Sequence, residues 1–188
     1  MEKLKVSKII MVALVAFLLV FPLAGCAKKP PPAEKPVPAV LSFEATEYTN
    51  TEYGFSVKYP KEWVEQPITE PIPTIFYAAA PARVPIFIVS IAEGAAFTDA
   101  LNAAVSGADG TDATIKSESE TKLADGTKAY QAVYKFKHPA APMALDAYSL
   151  GAMKANKWVV VTVATVGLLV KFDEALFSEI GHTLQFTK

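Results

Sequence analysis

Gly54-Phe55-Ser56-Val57-Lys58-Tyr59-Pro60-Lys61-Glu62-Trp63 decides how the rest of the chain is read. Phe55, Val57 and Tyr59 alternate with Ser56 and Lys58, the period of a strand with one buried face. Pro60 ends that strand, because proline cannot donate to a ladder. Thr74 to Ala80 reads as a second strand, centred on Ile75, Phe76 and Tyr77. Pro85 to Ile91 is apolar on both faces, which suits an interior strand covered from both sides.

A helix should follow, with Thr98 as N-cap and Ala100, Leu101, Ala104 and Val105 at helical spacing. Gly107 and Asp109-Gly110 stop it. Four strands are then expected, at about 114–123, 128–138, 145–154 and 157–166. Asp125-Gly126 supplies the first hairpin turn, Pro139 and Pro142 mark the second connection, and Asn156 sits in the third. Thr114 to Lys122 is rich in Lys, Glu, Ser and Thr, as an edge strand should be. Trp158 to Val166 is apolar on both faces and is expected at the centre. A closing helix from Phe172 to Ile180 places Phe172, Leu176 and Ile180 along one side, and Gly181 stops it. Thr183 to Phe186 adds a short tail. Doubly covered strands need layers on both faces, so the expected class is α+β: an antiparallel sheet flanked by helices, an α-β-α sandwich.

The run from Gly54 to Trp63, and the order hairpin, helix, four-strand meander and late helix, resembles PsbP-like domains over roughly residues 46–188. That superfamily includes the extrinsic PsbP subunit of photosystem II, a yeast Ran-binding nuclear import factor and many bacterial lipoproteins of unknown function. The resemblance implies a fold rather than an activity. No ligand residue of those members maps onto this chain, and nothing in the sequence argues for photosynthesis or for Ran.

Ahead of the domain, Lys3, Lys5 and Lys8 precede an uncharged run from Ile9 to Gly25. Leu23-Ala24-Gly25-Cys26 closes it and looks like a lipobox, cut before a cysteine whose thiol takes a diacylglyceryl group. A positive start, an apolar middle and a small-residue exit are the layout of a secretory signal. An uncleaved membrane anchor and an ordinary signal peptide are the competing readings; the run is short of the ~20 residues a span needs. All three place the domain on the outer side of the membrane. Ala27 to Val40 carries prolines at 30, 31, 32, 36 and 38 and is expected to be an extended tether of roughly 40 Å. The expected organisation is a signal peptide over 1–25, a lipidated cysteine and tether over 26–40, and one globular domain over 41–188. The expected address is the cell membrane, lipid-anchored, facing outward.

Composition narrows the function classes. Of 18 basic and 19 acidic side chains, six lysines and two glutamates fall in residues 1–40, so residues 41–188 carry 12 against 17, a net charge of −5. Such a domain is a poor partner for nucleic acid and a poor candidate for lying flat on anionic lipid. With the single Cys26 acylated, no disulfide, thiolate nucleophile or cysteine metal site is available. His138 and His182 stand apart in sequence, which favours structural roles. Ser119-Glu120-Thr121-Lys122 has S-x-x-K spacing, but on a strand its first and last residues point to opposite faces. Asp109-Gly110-Thr111-Asp112 lacks the ligand alternation of a calcium loop and reads as a turn. No cofactor, metal or catalytic residue is expected.

Aromatic residues cluster in the first third of the domain. Tyr53, Tyr59, Trp63 and Tyr77 are a candidate contact patch, with core packing as the competing reading of Tyr59 and Trp63. The expected function is a non-catalytic binding or assembly module. It is held to membrane lipid through acylated Cys26 and works with an envelope protein partner. The alternative is a binder of a small apolar or aromatic ligand in a pocket beside the sheet, and an enzyme comes third.

Overall fold

A computed structural model describes residues 40–68 and 73–187. The expected signal peptide, the lipobox-like Leu23–Cys26 run and all of the expected tether except Val40 lie outside the described residues.

A seven-stranded antiparallel sheet organises the domain. Its strands are β3 (Val64–Glu65), β4 (Thr74–Ala79), β5 (Ile86–Ala92), β6 (Thr111–Lys122), β7 (Lys128–Lys137), β8 (Leu145–Lys154) and β9 (Lys157–Thr165), in the spatial order β3-β4-β5-β9-β8-β7-β6. β5 and β9 lie side by side, Ile86 opposite Ala164 and Ala92 opposite Trp158. Both are buried almost throughout, as their apolar runs require. The polar β6 forms one edge. Its hairpin to β7 turns at Asp125-Gly126: Gly126 has φ 86° and the Asp125 carboxylate accepts from Thr127 N at 2.8 Å. The β8–β9 hairpin turns on Ala155 and Asn156, both with positive φ, the mirror-image turn that matches strand twist.

Each face of this sheet has its own core. On one face, α1 (Phe97–Gly107) packs over β5, β9, β8 and β6. It buries Phe97, Ala100, Leu101, Ala104 and Val105 against Trp158, Val160, Tyr134 and Phe136. The other face carries α2 (Glu174–Gly181) together with a three-stranded sheet of β1 (Ala45–Asn50), β2 (Phe55–Pro60) and β10 (Gln185–Phe186). Phe55, Val57, Tyr59, Phe76, Phe87, Val161, Phe177 and Ile180 meet there.

The architecture is therefore richer in sheet than a sandwich of helices around strands: the second face is shared between a helix and β1-β2-β10. The helix starts also differ. Thr98 is not the N-cap. α1 begins at Phe97 after Ala96, and the Asp99 carboxylate reaches back to accept from Ala96 N at 3.1 Å. α2 is capped by Asp173, whose Oδ1 accepts from Leu176 N at 3.1 Å. No helix among the described residues is long and apolar enough to cross a membrane.

Candidate functional site

The four aromatics expected to share a contact patch do not come together. Tyr59 and Trp63 are buried. Tyr59 stacks on Phe87 at 5.3 Å and packs against Phe76 at 5.4 Å, while Trp63 tilts onto Phe87 at 6.5 Å. Period-two alternation sends Tyr59 inward with Phe55 and Val57, so both residues are core. Tyr53 lies near the β1–β2 turn, half-buried, with Lys157 Nζ 5.8 Å from its ring, and lines a separate hollow that meets the Tyr77 cleft at Gly107 and Asp109. Tyr77 takes the face opposite to Phe76 and stands beside Ile88, its register partner on β5.

Tyr77 belongs to a cleft that the sequence did not single out. α1 leaves the outer strands β3 and β4 uncovered on its face of the sheet. A concavity of ≈ 260 Å³ opens there, with Tyr77, Ile86, Ile88 and Phe136 as apolar floor and Pro67 and Ile68 on one side. Gly107, Ala108 and Asp109, at the end of α1, and His138 form the opposite rim. Ile86 pairs with Ala164, Ala164 with Ala147 and Ala147 with Tyr134, two residues before Phe136 on β7. Thr74 Oγ1 donates to Gly107 O at 3.1 Å and ties β4 to the helix end. Asp109 takes φ 53° in the turn that closes α1, and Gly110 N donates to Val105 O at 2.8 Å. Asp109-Gly110 therefore closes the helix, and Thr111 and Asp112 already belong to β6.

The cleft's polar equipment is sparse. Ala140 N donates to His138 Nδ1 at 3.1 Å, which leaves the proton of the neutral ring on Nε2. Burial lifts the Tyr77 hydroxyl above its usual value of 10.0, with Arg83 pulling the other way, so Tyr77 offers a neutral donor at neutral pH. Two donors over an apolar floor can orient a bound group. Among the described residues, no side chain hydrogen-bonds to the Tyr77 hydroxyl or the His138 ring.

The remaining chemistry-bearing residues are occupied structurally. His182 ends α2, where its Nδ1 sits 2.9 Å from Ser178 O and its Nε2 3.3 Å from Thr121 Oγ1. With Nδ1 donating to the carbonyl and Nε2 accepting from the hydroxyl, His182 fastens α2 to β6. Ser119 accepts from Gln131 Nε2 at 3.1 Å, while Lys122 is exposed and lies three residues on along the same strand. The two therefore face opposite sides of the sheet. The buried hydroxyls of Tyr134, Ser149 and Thr162 bond in series at 3.0 and 2.7 Å, sealed from solvent. No group of three His, Cys, Asp or Glu that could hold a metal gathers among the described residues.

One partly buried ion cluster has a pH signature. Asp146 Oδ1 lies 2.8 Å from Lys116 Nζ and 3.2 Å from Lys135 Nζ. Burial pushes its carboxyl up, but hydrogen bonds and charge from both lysines outweigh that and hold it below its usual 3.8. A depressed native value stabilises the fold above the unfolded value and loses that contribution as pH falls through the native one. Asp146→Asn should therefore melt below wild type at pH 7, with the gap closing in acid as the pH falls below the carboxyl's usual 3.8. Thermal unfolding at neutral pH and in acid measures it; a gap unchanged by acid would show that the pair adds nothing.

Comparison with known proteins finds structural likeness alone. No family model matches the chain, and no curated protein matches it. Among solved structures, the chain is similar to cyanobacterial PsbP (CyanoP) from Synechocystis sp. PCC 6803, with a TM-score of 0.56 and 16% identity, covering 76% of this chain and 92% of that one. Weaker likenesses are to PA94 from Pseudomonas aeruginosa, a protein of unknown function, with a TM-score of 0.36, 17% identity, 66% of this chain and 84% of that one, and to a protein from Bacteroides thetaiotaomicron VPI-5482, with a TM-score of 0.39, 16% identity, 76% of this chain and 48% of that one. The first likeness establishes the fold as PsbP-like, in agreement with the resemblance carried by Gly54 to Trp63.

Proposed function

We propose that the chain is an extracytoplasmic lipoprotein, anchored through Cys26, whose domain is a non-catalytic binding or assembly module. The cleft is where it engages an apolar side chain of an envelope protein partner. The run Leu23-Ala24-Gly25-Cys26 and the proline-rich tether support the anchoring. The observation that carries the binding role is the cleft's size and lining. At ≈ 260 Å³ it lies below the ~300–1,000 Å³ of pockets that take whole small-molecule ligands. It suits one large apolar side chain, the kind of central anchor that dominates protein interfaces. Tyr77 and the imidazole of His138 supply the polar edge that fixes an anchor's orientation.

A photoactivatable side chain at position 68, on the cleft wall, tests this in intact cells. One discrete adduct is expected, competed away by Tyr77→Glu on the same chain. The same probe at position 118, on the exposed edge strand β6, should give none. Equal labelling from both positions would remove the cleft from the account. The second reading, a small apolar ligand, rests on the same floor. A bound organic molecule released from the purified protein in native mass spectrometry, and absent from Tyr77→Glu, would favour it.

A further inference from the structure

After Val40, where the described chain begins, Leu168 and Leu169 are the most exposed large hydrophobics among the described residues, 81% and 67% accessible. They do not sit on a loose segment. Leu169 N and Val170 N both donate to Val166 O, at 2.8 and 3.0 Å, and Thr165 Oγ1 donates to Val170 O at 3.3 Å. Val166 before the turn is buried, and Phe172 after it packs edge-on against Phe177 at 5.2 Å. The turn is pinned at both ends and holds two leucines out into water.

Their position in the fold narrows what they meet. They leave the sheet from β9 at Thr165. The β7–β8 connection, with the half-exposed Met143, emerges at the same end, as Phe136 pairs with Leu145 and Asp146 with Thr165. The described chain also enters there. Ala45 is opposite Pro60, Trp63 N bonds Pro60 O, Val64 is opposite Ala79, Ala79 opposite Ile86, and Ile86 opposite Ala164. Ser42 N donates to Glu179 on α2, the helix that directly follows the turn, at 2.6 Å. The exposed leucines and the root of the proline-rich segment thus share one end of the domain.

Charge at that end is mixed, with Glu44, Glu62 and Glu174 exposed beside the basic residues, so the contact rests on the apolar pair rather than on attraction to an anionic surface. Lys171 follows the turn and Arg83 stands on the neighbouring β4–β5 turn. Asp146 is held by Lys116 and Lys135, and Asp173 is spent as the cap of α2.

We infer that the Gly167–Val170 turn is a membrane-contact element: Leu168 and Leu169 insert shallowly into the bilayer surface to which the domain is tethered, orienting that end of the sheet toward lipid. The inference rests on the reading of Cys26 as a lipid anchor, which supplies proximity. A segment of fourteen residues reaches at most roughly 40 Å from Cys26, so the root of the domain cannot leave the neighbourhood of the bilayer, docking is intramolecular and a weak apolar partition suffices. Each leucine taken out of water contributes roughly a tenfold preference for the lipid-bound orientation.

The full mature chain, purified from membranes, is reconstituted in vesicles of phosphatidylethanolamine and phosphatidylglycerol. An environment-sensitive fluorophore is placed on Leu169→Cys and, as a control at the opposite end of the sheet, on Met153→Cys. Acyl chains carrying bromine should quench the probe at 169 and leave that at 153 unaffected. Adding Leu168→Asp should cut the quenching at 169 roughly tenfold. Both leucines are exposed, so these variants should melt as wild type does. A probe at 169 that is as open to aqueous iodide as the one at 153 overturns the inference. So does a probe at 169 shielded from iodide but unquenched by bromine, because a second copy or another protein then covers the turn. The mass of the same preparation separates the two claims. Acylated Cys26 with a water-exposed 169 removes the docking and keeps the anchor. Unmodified Cys26 removes the anchor, whatever 169 reports.

Discussion

Replacing Phe87 by alanine should lower the unfolding free energy by about 3–5 kcal/mol, the range for losing a fully buried phenylalanine. Phe87 is 0% exposed and is ringed by Tyr59, Phe76 and Trp63 at centroid distances of 5.3, 5.9 and 6.5 Å. It also lies on β5, opposite Val163 of β9, so the cavity opens where the sheet and the β2 layer meet. Rigid strands on both sides limit collapse, which puts the value toward the upper end. For a domain of this size the midpoint of thermal unfolding should fall by on the order of 10 °C. A drop of only a degree or two would mean that Tyr59 and Trp63 are not packed on Phe87 and are free to serve as a surface patch.

Gly151→Val should destabilise by about 3 kcal/mol, although valine is the better strand residue. A Cβ at Gly151 would lie 2.5 Å from Phe97 Cε2 and 2.8 Å from Phe97 Cδ2. Phe97 opens α1, and its ring is packed against Tyr130 at 6.0 Å and Trp158 at 5.7 Å, so it has nowhere to turn. Glycine stands there because an aromatic ring lies directly on the strand backbone, one of the recognised uses of glycine in a sheet. The pair should be coupled. Gly151→Val with Phe97→Leu should recover part of the loss, whereas two independent sites would add. Chemical denaturation of the two single variants and the double variant measures the coupling.

The fold was legible where local signals and tertiary demand agree. Alternation over Phe55–Tyr59, the doubly apolar runs of β5 and β9, the polar edge β6 and the Asp125-Gly126 turn all lie where period and turn chemistry put them. The missed elements carry weak local signals. β1 reads Ala-Thr-Glu-Tyr-Thr-Asn and buries nothing fully; it exists because β2 offers it a ladder. β3 is two residues long. Thr98 looked like a cap because it precedes the apolar run, yet Asp99 captures the Ala96 amide and starts the helix earlier.

The site was legible only in fragments. Tyr77 was named, but with companions that alternation and a turn send elsewhere. Its actual neighbours come from β5, β7 and the end of α1, brought together by strand order. No local window of sequence records that meeting. The exposed Leu168-Leu169 pair carried no signal either, since a short apolar turn and a buried one look alike until burial is known.

The most direct test of the account is the intact mass of the chain extracted from membranes of cells that express it from its own Met1. The account predicts a mature polypeptide that begins at Cys26 and carries a diacylglyceryl group on that residue, with Cys26→Ala accumulating as uncleaved precursor. A chain that retains Met1, or one cut after Cys26 with no lipid attached, would contradict it.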